Sequence, residues 1–180
     1  MNVAVVDYGA GNLRSVLLAF ARLGVEAHTT GDPNEVLYAD LAVLPGVGSA
    51  RTAMTSLRRS ACDEALRART QPTLGICLGL HLALEESEED GGVAGLGLVP
   101  GRAVRICEGR VPRIGWAPVE PDGTAYWFAH SYAAMTPAVE STSEGLVATV
   151  RHGSFTGVQF HPEKSGPAGA RWLAECLSRA

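Results

Sequence analysis

The chain has 180 residues, of which 46% are hydrophobic and 19% are charged, with a formal net charge of −4. These values are typical of an ordinary globular protein, and we expect residues 1–180 to form a single domain. The charge excludes the basic stripe of a nucleic-acid-binding protein, and no apolar run approaches the roughly 20 residues of a membrane span.

The amino terminus and the cysteines indicate the compartment. Met1 leads directly into the apolar run Val3–Val6 without a basic n-region or a cleavage signal, so we expect a cytoplasmic protein. The cysteines include no CxxC pair, which favours free thiols over disulfides or zinc ligands; they are Cys62, Cys77, Cys107 and Cys176. We expect no metal and no cofactor.

Apolar runs and helix-spaced stretches alternate in the first half of the chain. Strands are predicted at Val3–Asp7, Val25–Thr29, Leu41–Leu44 and Thr73–Ile76, and helices at Asn12–Leu23 and Thr52–Arg69. This βαβαβ order predicts a parallel sheet with helices on both faces.

The second half of the chain has shorter apolar runs joined by glycine-containing turns. Strands are predicted at Arg102–Glu108, Tyr126–His130, Leu146–Arg151 and Ser154–Gln159, and a last helix at Ala168–Ser178. These strands indicate an antiparallel extension of the sheet. The predicted fold class is therefore α/β, with a central, mostly parallel sheet.

Cys77 stands between two glycines, in Gly75-Ile76-Cys77-Leu78-Gly79, where a predicted strand meets a predicted helix. Small residues permit the sharp turn of a nucleophile elbow, which exposes the central side chain at the edge of the sheet. The start of the helix favours the thiolate form and makes the Leu78 N–H group a candidate oxyanion donor. We interpret Cys77 as a nucleophile; the alternative is a buried, inert cysteine in a glycine-rich turn.

A cysteine nucleophile needs a base and a group that orients the base. Among the histidines, His161 has the best context, because it follows an apolar strand in VQFHPEKS (158–165). Glu163 lies two residues later, where its carboxylate can accept from one imidazole nitrogen while the other nitrogen faces the sulfur. A surface turn is the alternative for this motif alone.

The remaining histidines allow several interpretations. His81 lies one helical turn after Cys77 and is a second base, a substrate contact or a helix-surface residue. His130 is a core histidine or a donor at the edge of the site. His28 and His152 are expected to be solvated.

Two further segments can contribute to the same cleft. LPGVGS (44–49) ends a predicted strand, and backbone N–H groups at Gly46 or Val47 can supply an oxyanion donor; the alternative is a plain strand-to-helix turn. EESEED (85–90) is either a solvated acidic face or the source of a carboxylate for a substrate's ammonium group.

Together these residues resemble the class I (triad) glutamine amidotransferases and, within that class, the glutaminase subunits of imidazole glycerol phosphate synthase. The resemblance spans nearly the whole chain. Its motifs are VDYGAGNLRS (6–15), LPGVG (44–48), GICLG (75–79), ESEED (86–90), GLGL (95–98), VPRIGW (111–116), HSY (130–132) and VQFHPEKS (158–165). It implies a flavodoxin-like amidotransferase fold.

The resemblance implies a role for each matching residue. Cys77 would attack the side-chain amide of glutamine, His161 would transfer protons, and Glu163 would orient His161. The implied oxyanion donors are Leu78 and the Gly46–Val47 loop. The implied substrate-binding residues are Gly48, His81, Glu89, Ser131 and Tyr132.

The resemblance also implies a partner. Ammonia would pass to a (β/α)₈-barrel cyclase subunit of a heterodimer, which makes imidazole glycerol phosphate and aminoimidazole carboxamide ribotide (AICAR) in histidine biosynthesis. The implied interface residues are Asn12, Trp116 and Lys164. Lys164 is the single lysine of the chain, and its implied role is an ion pair with the barrel.

The chain departs from the family pattern at a few positions. His81 stands where the family has glutamine, Arg113 where it has histidine, Ala117 where it has asparagine, and Ala133 where it has an aromatic residue. Because these positions cluster at the substrate pocket and the partner face, a divergent paralogue that feeds ammonia to another synthase is an alternative.

Two other functions are compatible with the same fold. A non-catalytic partner-binding subunit is one, although the intact Cys77, His161 and Glu163 argue against it. A stand-alone cysteine hydrolase of amide or γ-glutamyl bonds is the other, and the interface-type residues Trp116 and Lys164 argue against that.

Overall fold

The structure, a computed structural model, describes residues 1–9 and 11–179. The elements in chain order are β1 (Val3–Val6), α1 (Leu13–Ala21), β2 (Ala27–Thr30), α2 (Pro33–Tyr38), β3 (Leu41–Leu44), α3 (Ala50–Arg59), α4 (Cys62–Ala68), β4 (Thr73–Ile76), α5 (Leu78–Ala83), β5 (Glu86–Ser87), β6 (Val93–Ala94), β7 (Arg102–Arg105), β8 (Arg113–Val119), β9 (Thr124–His130), β10 (Tyr132–Met135), β11 (Val139–Ser143), β12 (Leu146–His152), β13 (Phe155–Val158) and α6 (Gly166–Ser178). Short 3₁₀ turns lie at Glu89–Gly91 and Pro162–Lys164. Within the described ranges, no helix has the length and apolar character needed to cross a membrane.

A seven-stranded sheet in the order β11-β12-β13-β4-β3-β1-β2 forms the centre of the molecule. The strands from β13 to β2 pair in parallel, whereas β12 and β11 continue the sheet antiparallel. The predicted fold class, a mostly parallel sheet with an antiparallel extension, is thereby confirmed.

The sheet is covered on both faces, which explains why β1, β3 and β4 are fully buried, near-continuous apolar runs. On one face, Met54 and Leu57 of α3 pack in the same core as Leu80 of α5. On the other face, Phe20 of α1 and Leu173 of α6 form the second core. Helices therefore pack against both faces of the central strands and fix the positions of their backbones.

The remaining strands form two smaller sheets beside the central one. One has the order β10-β7-β5-β6, and the other is the hairpin β8-β9. In the hairpin, Arg113 lies opposite His130 and Trp116 lies opposite Trp127. This arrangement brings the residues that follow Val111 over the edge of the central sheet.

The single helix predicted at Thr52–Arg69 is wrong, because the segment forms two helices. The Ser60 hydroxyl donates to the Leu57 carbonyl oxygen at 3.1 Å, and Ala61 adopts a left-handed conformation with φ 60°. The second helix, α4, turns to pack against α2, and its Cys62 Sγ lies 3.4 Å from the Gly31 carbonyl oxygen. Tertiary packing has overridden the continuous helical pattern.

Several elements were not predicted from the sequence: α2, β5, β6, β8, β10 and β11. β8 contains Gly115 and Pro118 and alternates exposed with buried positions, so it lacks the continuous apolar run of the central strands. The strand predicted at Arg102–Glu108 is shorter, because β7 ends at Arg105.

Candidate active site

The carboxyl ends of four neighbouring parallel strands meet at one edge of the central sheet. Asp7 follows β1, the segment Pro45–Gly48 follows β3, Cys77 follows β4, and Gln159–His161 follows β13. Open parallel sheets bind their ligands at this edge. The topology therefore collects the candidate residues of four separate segments in one place.

Cys77 occupies a strained turn between β4 and α5. Its backbone has φ 48° and ψ −102°, and its N–H group donates to the Val158 carbonyl oxygen at 2.7 Å. A Cβ atom at Gly79 would stand 2.1 Å from the Leu44 carbonyl oxygen, and one at Gly75 would stand 2.6 Å from the Phe155 ring. The flanking glycines are thus required by close approach of backbone and ring to the elbow.

The His161 imidazole lies beside both the sulfur and a carboxylate. Its Nδ1 is 2.8 Å from Glu163 Oε1, and the ring also hydrogen-bonds the Cys77 side chain, which leaves Nε2 for the sulfur. The side chains of His161 and Glu163 are 1% and 4% exposed. The three groups form an array in the order sulfur, imidazole, carboxylate.

Backbone contacts fix the segment that carries His161. The His161 N–H group donates to the Trp127 carbonyl oxygen at 2.8 Å, and the Ser165 hydroxyl donates to the His161 carbonyl oxygen at 2.7 Å. The same hydroxyl accepts from the Trp127 N–H group at 2.9 Å. The hairpin β8-β9 therefore holds the base in place against the central sheet.

The electrostatics of the array favour the imidazolium form of His161. Burial by itself lowers the pKa of His161, but hydrogen bonds to Cys77 and Glu163, together with their charges, raise it to about 9. Nearby, burial and the charges of Cys77 and Asp7 raise the pKa of Tyr8, so its hydroxyl stays protonated and donates to the Pro45 carbonyl oxygen. The Tyr8 contact holds the segment that follows β3 beside the nucleophile.

An open cleft of about 230 Å³ exposes this edge of the sheet. It is lined by Gly46, Val47, Gly48, Cys77, Leu78, His81, Glu89, Pro112, Ile114, Ala129, His130, Ser131 and Tyr132. The structure thus brings together all of the predicted oxyanion and substrate-binding residues around Cys77. Pro112, Ile114 and Ala129 were not predicted, because apolar and small residues carry no chemical signal in a sequence.

Glu89 lies on the wall of the cleft, in the 3₁₀ turn that follows β5. Burial and the charge of Asp90 raise the pKa of Glu89, while a hydrogen bond from the Ala50 backbone lowers it. Asp90, in a left-handed conformation with φ 56°, accepts from the Ser49 hydroxyl at 2.6 Å and from the Arg51 N–H group at 3.1 Å. This clip joins the Glu89 turn to the start of α3.

His81 differs from one of its sequence interpretations. It is not a helix-surface residue, because it is only 4% exposed and its Nε2 lies 2.8 Å from Gln159 Oε1. Gln159 Nε2 in turn lies 3.5 Å from Cys77 Sγ. Gln159 lies inside the VQFHPEKS motif but was not predicted as a site residue, since one polar residue after a buried strand forms no pattern.

Arg113 forms a compact cluster next to the cleft. Its guanidinium lies 4.1 Å from the Phe128 ring centroid, 3.0 Å from Glu144 Oε2 and 2.7 Å from Ser143 Oγ. Its Nη1 is also 3.4 Å from His130 Nε2. His130 is buried, as expected of a core histidine, and it also lines the cleft. Its Nδ1 lies 2.8 Å from the Tyr132 carbonyl oxygen, so the proposed role as a donor at the edge of the site stays a prediction.

The three predicted interface residues lie outside the cleft and are exposed. Asn12 caps α1, and its side-chain oxygen accepts from the Ser15 N–H group at 3.2 Å. Trp116 is 57% exposed and packs edge-on against Trp127, with ring centroids 6.0 Å apart. Lys164 lies in the 3₁₀ turn that packs against α1. His28 and His152 are remote from the site; His28 pairs with Glu35 at 3.3 Å.

A strand-to-helix cysteine elbow with a buried histidine and glutamate is the arrangement expected of a glutaminase, and a family model supplies the deciding observation. The model of class I glutamine amidotransferases matches residues 4–180. The chain belongs to the class I glutamine amidotransferase family. Solved members of this fold include a glutamine amidotransferase with a TM-score of 0.82 and 21% identity over 99% of both chains. A glutamine amidotransferase of Thermotoga maritima has a TM-score of 0.64 and 18% identity, over 99% of this chain and 83% of that one.

More similar sequences are found among named amidotransferase subunits. The imidazole glycerol phosphate synthase subunit HisH of Carboxydothermus hydrogenoformans is 42% identical, over 94% of this chain and 95% of that protein. The subunit of the same name in Escherichia coli strain K12 is 41% identical, over 98% of this chain and 99% of that protein. Both relatives match this amidotransferase along nearly its entire length.

Proposed function

We propose that this amidotransferase is the glutaminase subunit of an imidazole glycerol phosphate synthase. It hydrolyses glutamine to glutamate and delivers the ammonia to a cyclase subunit in histidine biosynthesis. The observation that carries the proposal is the buried array of Cys77, His161 and Glu163 at the base of an open cleft. The relatives at 41–42% identity support this particular synthase.

Glutamine enters the cleft with its ammonium group toward Glu89 and its side-chain amide toward Cys77. Among the described residues that line the cleft, Glu89 carries the one acidic side chain, which suits a cation. The backbone around Gly48 and of Ser131–Tyr132 borders the path between these two ends. The cleft of about 230 Å³ then orients the amide carbon against the sulfur.

The first half of the reaction forms a thioester. The Cys77 thiolate attacks the amide carbon, and the carbonyl oxygen takes the negative charge. The Leu78 N–H group and the backbone of Gly46–Val47 donate hydrogen bonds to that oxygen. The His161 imidazolium gives its Nε2 proton to the amide nitrogen, the C–N bond breaks, and ammonia leaves.

The second half releases glutamate. Neutral His161 takes a proton from water, and the resulting hydroxide attacks the carbonyl carbon of the thioester. The C–S bond breaks, which restores the Cys77 thiolate and the His161 imidazolium. Glu163 holds Nδ1 of the imidazole, so Nε2 faces the reacting atoms in both halves.

Ammonia passes to a (β/α)₈-barrel cyclase subunit bound as a heterodimer. Asn12, Trp116 and Lys164 are exposed, and the turn that carries Lys164 packs against α1, which Asn12 caps. A half-exposed tryptophan and an exposed lysine beside the site suit a protein interface with an apolar centre and a charged rim. We propose that this face binds the barrel, with Lys164 paired to a carboxylate of the partner.

Replacement of the nucleophile tests the proposal. We expect Cys77→Ala, mixed with the cyclase subunit, to lower glutamine-dependent synthesis by at least about a thousandfold, because no thioester can form. Synthesis from added ammonium salt should stay within about twofold of the wild-type complex, since the cyclase chemistry is separate.

The control is Cys107→Ala, which removes an exposed cysteine outside the cleft and should leave both activities unchanged. Retained glutamine turnover in Cys77→Ala would contradict the mechanism. Loss of both the glutamine-dependent and the ammonium-dependent activity would contradict the division between the two subunits.

A further inference from the structure

Gln159 connects two groups of the site that the mechanism above does not link. It is fully buried at the end of β13, and it lies between His81 and Cys77. His81 Nε2 is 2.8 Å from Gln159 Oε1, and Gln159 Nε2 is 3.5 Å from Cys77 Sγ. The three residues form a chain that approaches the sulfur from β13 and α5, separately from the His161 array.

The positions of the amide atoms determine the direction of these hydrogen bonds. The Gln159 NH₂ group faces Cys77, and an amide NH₂ group can only donate, so the sulfur accepts. The carbonyl end then faces His81, and an oxygen can only accept from the imidazole. His81 must therefore carry its proton on Nε2. The tautomer of His81 and the orientation of the amide are coupled.

We propose that His81 is a positioning residue which, through Gln159, holds an amide N–H donor on the Cys77 sulfur. The donor stabilises the negative charge that the sulfur carries whenever Cys77 is deprotonated. It also stabilises the thiolate that leaves when the C–S bond of the thioester breaks. The inference deepens the proposed function and rests on it only for the second of these two effects.

The environment of His81 keeps the imidazole in a form that suits this role. Burial lowers the pKa of His81, and the hydrogen bond to Gln159 only partly opposes that shift. The ring is therefore neutral near pH 7 and carries a single N–H group. Other ionisable groups around the sulfur are His161, Tyr8, His130, Tyr132 and Glu89. In the described part of the chain, the hydrogen bonds of the Gln159 amide go to His81 and Cys77.

The same contacts bear on the replacement of the family's glutamine by histidine at position 81. A glutamine there could also donate to Gln159 Oε1 through its own amide, so the His81→Gln variant should preserve the donor on sulfur. A leucine at position 81 would leave Gln159 Oε1 without its donor in a buried site. The Gln159 amide would then be free to turn its oxygen toward the sulfur.

The test measures the reactivity of Cys77 in the full chain with iodoacetamide from pH 5 to pH 9, without glutamine. Mass spectrometry separates the Cys77 peptide from the peptide of the exposed Cys107. We expect His81→Leu and Gln159→Leu to move the midpoint of alkylation upward by about one pH unit, and His81→Gln to stay within about 0.3 unit of wild type. Thr149→Val, which removes a buried hydroxyl on β12 away from the sulfur, is the matched control and should not move it.

The outcomes distinguish positioning from a general effect on packing. A purely structural role for His81 would lower the melting temperature of His81→Leu without moving the alkylation midpoint, and this result would overturn the proposal. A shift in Gln159→Leu alone would also overturn it, since His81 would not then position the amide. Because alkylation needs no glutamine, these results do not depend on whether the chain hydrolyses it.

A second measurement needs no variant that could fail to fold. Nitrogen chemical shifts of the wild-type chain with labelled histidine report the tautomer of His81 directly. We expect the Nε2–H tautomer at pH 7. The Nδ1–H tautomer would place a lone pair opposite Gln159 and would overturn the proposal.

Discussion

Among single residues, Glu163 has the most unusual environment. Its Oε1 accepts from His161, while its Oε2 is buried without a hydrogen-bond partner in the described part of the chain. An unshared carboxylate charge at this position acts mainly on the imidazole, and it contributes to the raised pKa of His161. Burying the second oxygen costs free energy, but the carboxylate charge that it shares helps to keep His161 protonated.

Glu163→Gln should shift the pH dependence of glutamine hydrolysis. Loss of the carboxylate charge lowers the pKa of His161 from about 9, so the imidazolium that protonates the leaving amide nitrogen is lost at lower pH. We expect the alkaline limb of kcat/KM to move down by at least about one pH unit, and kcat/KM at pH 8 to fall by about tenfold to hundredfold. Steady-state rates from pH 6 to pH 10 measure both. Glu175→Gln, on the exposed side of α6, should keep the wild-type profile; an unmoved limb in Glu163→Gln would contradict the assignment.

Among the elements, the contact between β3 and α5 sets the position of the nucleophile. Gly79 of α5 lies so close to β3 that a Cβ atom would stand 2.1 Å from the Leu44 carbonyl oxygen. Backbone cannot give way as a flexible side chain can. The helix that begins at Leu78 can therefore approach the sheet only with glycine at position 79.

Gly79→Ala should destabilise the fold by about 3 kcal/mol, because the added methyl group forces α5 away from β3. Urea denaturation monitored by circular dichroism measures the change in the free energy of unfolding. Gly31→Ala is the matched control, since its Cβ would meet only the Asp7 carbonyl oxygen at 3.7 Å, an ordinary contact. Equal losses in the two variants would show that α5 can move without cost.

A second contact between elements holds the wall of the cleft. The Asp90 carboxylate joins the Glu89 turn to Ser49 and Arg51 at the start of α3. Asp90→Gly removes this clip yet tolerates the positive φ of the position. We expect the KM for glutamine to rise about threefold to tenfold with kcat nearly unchanged, because Glu89 would lose its fixed position.

The control for this variant is Asp122→Gly, which removes a similar exposed cap at the turn between β8 and β9. Its KM should equal that of the wild type. A fall in kcat without a change in KM in Asp90→Gly would show that the clip serves the chemical step rather than substrate binding.

For the whole molecule, two buried neutral histidines make stability depend on pH. Burial lowers the pKa of His130 to about 4, and it also lowers the pKa of His81. The unfolded chain therefore binds more protons than the folded chain between about pH 4 and pH 6.5, so the free energy of unfolding rises with pH in this window. The contribution is complete above pH 6.5 and is lost as the pH falls toward 4.

His130 alone should lower the free energy of unfolding by about 2 kcal/mol between pH 7 and pH 5. Urea denaturation at the two pH values tests this. His130→Gln should reduce the difference between them by that amount, whatever its effect at pH 7. His152→Gln, at the exposed end of β12, should leave the difference as in the wild type. The same difference in all three proteins would show that His130 is protonated in the fold.

The sequence by itself determined the parallel strands of the central sheet and the identity of the reacting groups. Leu41–Leu44 and Thr73–Ile76 were predicted with the bounds that the structure has, because strands buried on both faces require continuous apolar runs. The reacting groups could be recognised because their chemistry restricts both residue type and spacing. Cys77 stands between two glycines, and His161 and Glu163 share a second motif. The peripheral strands carried no such restriction, since β8 and β10 are only partly buried.

Only the tertiary structure decided how separated residues meet. Gln159 lies 82 positions from Cys77 and 78 from His81, and no local pattern encodes a contact over that distance. The break between α3 and α4 could not be predicted from the sequence either, because α4 packs against α2, a helix that was itself not predicted. Local propensity and periodicity act within a few residues, whereas pairing of β4 with β13 brings Gln159 and His161 to the elbow.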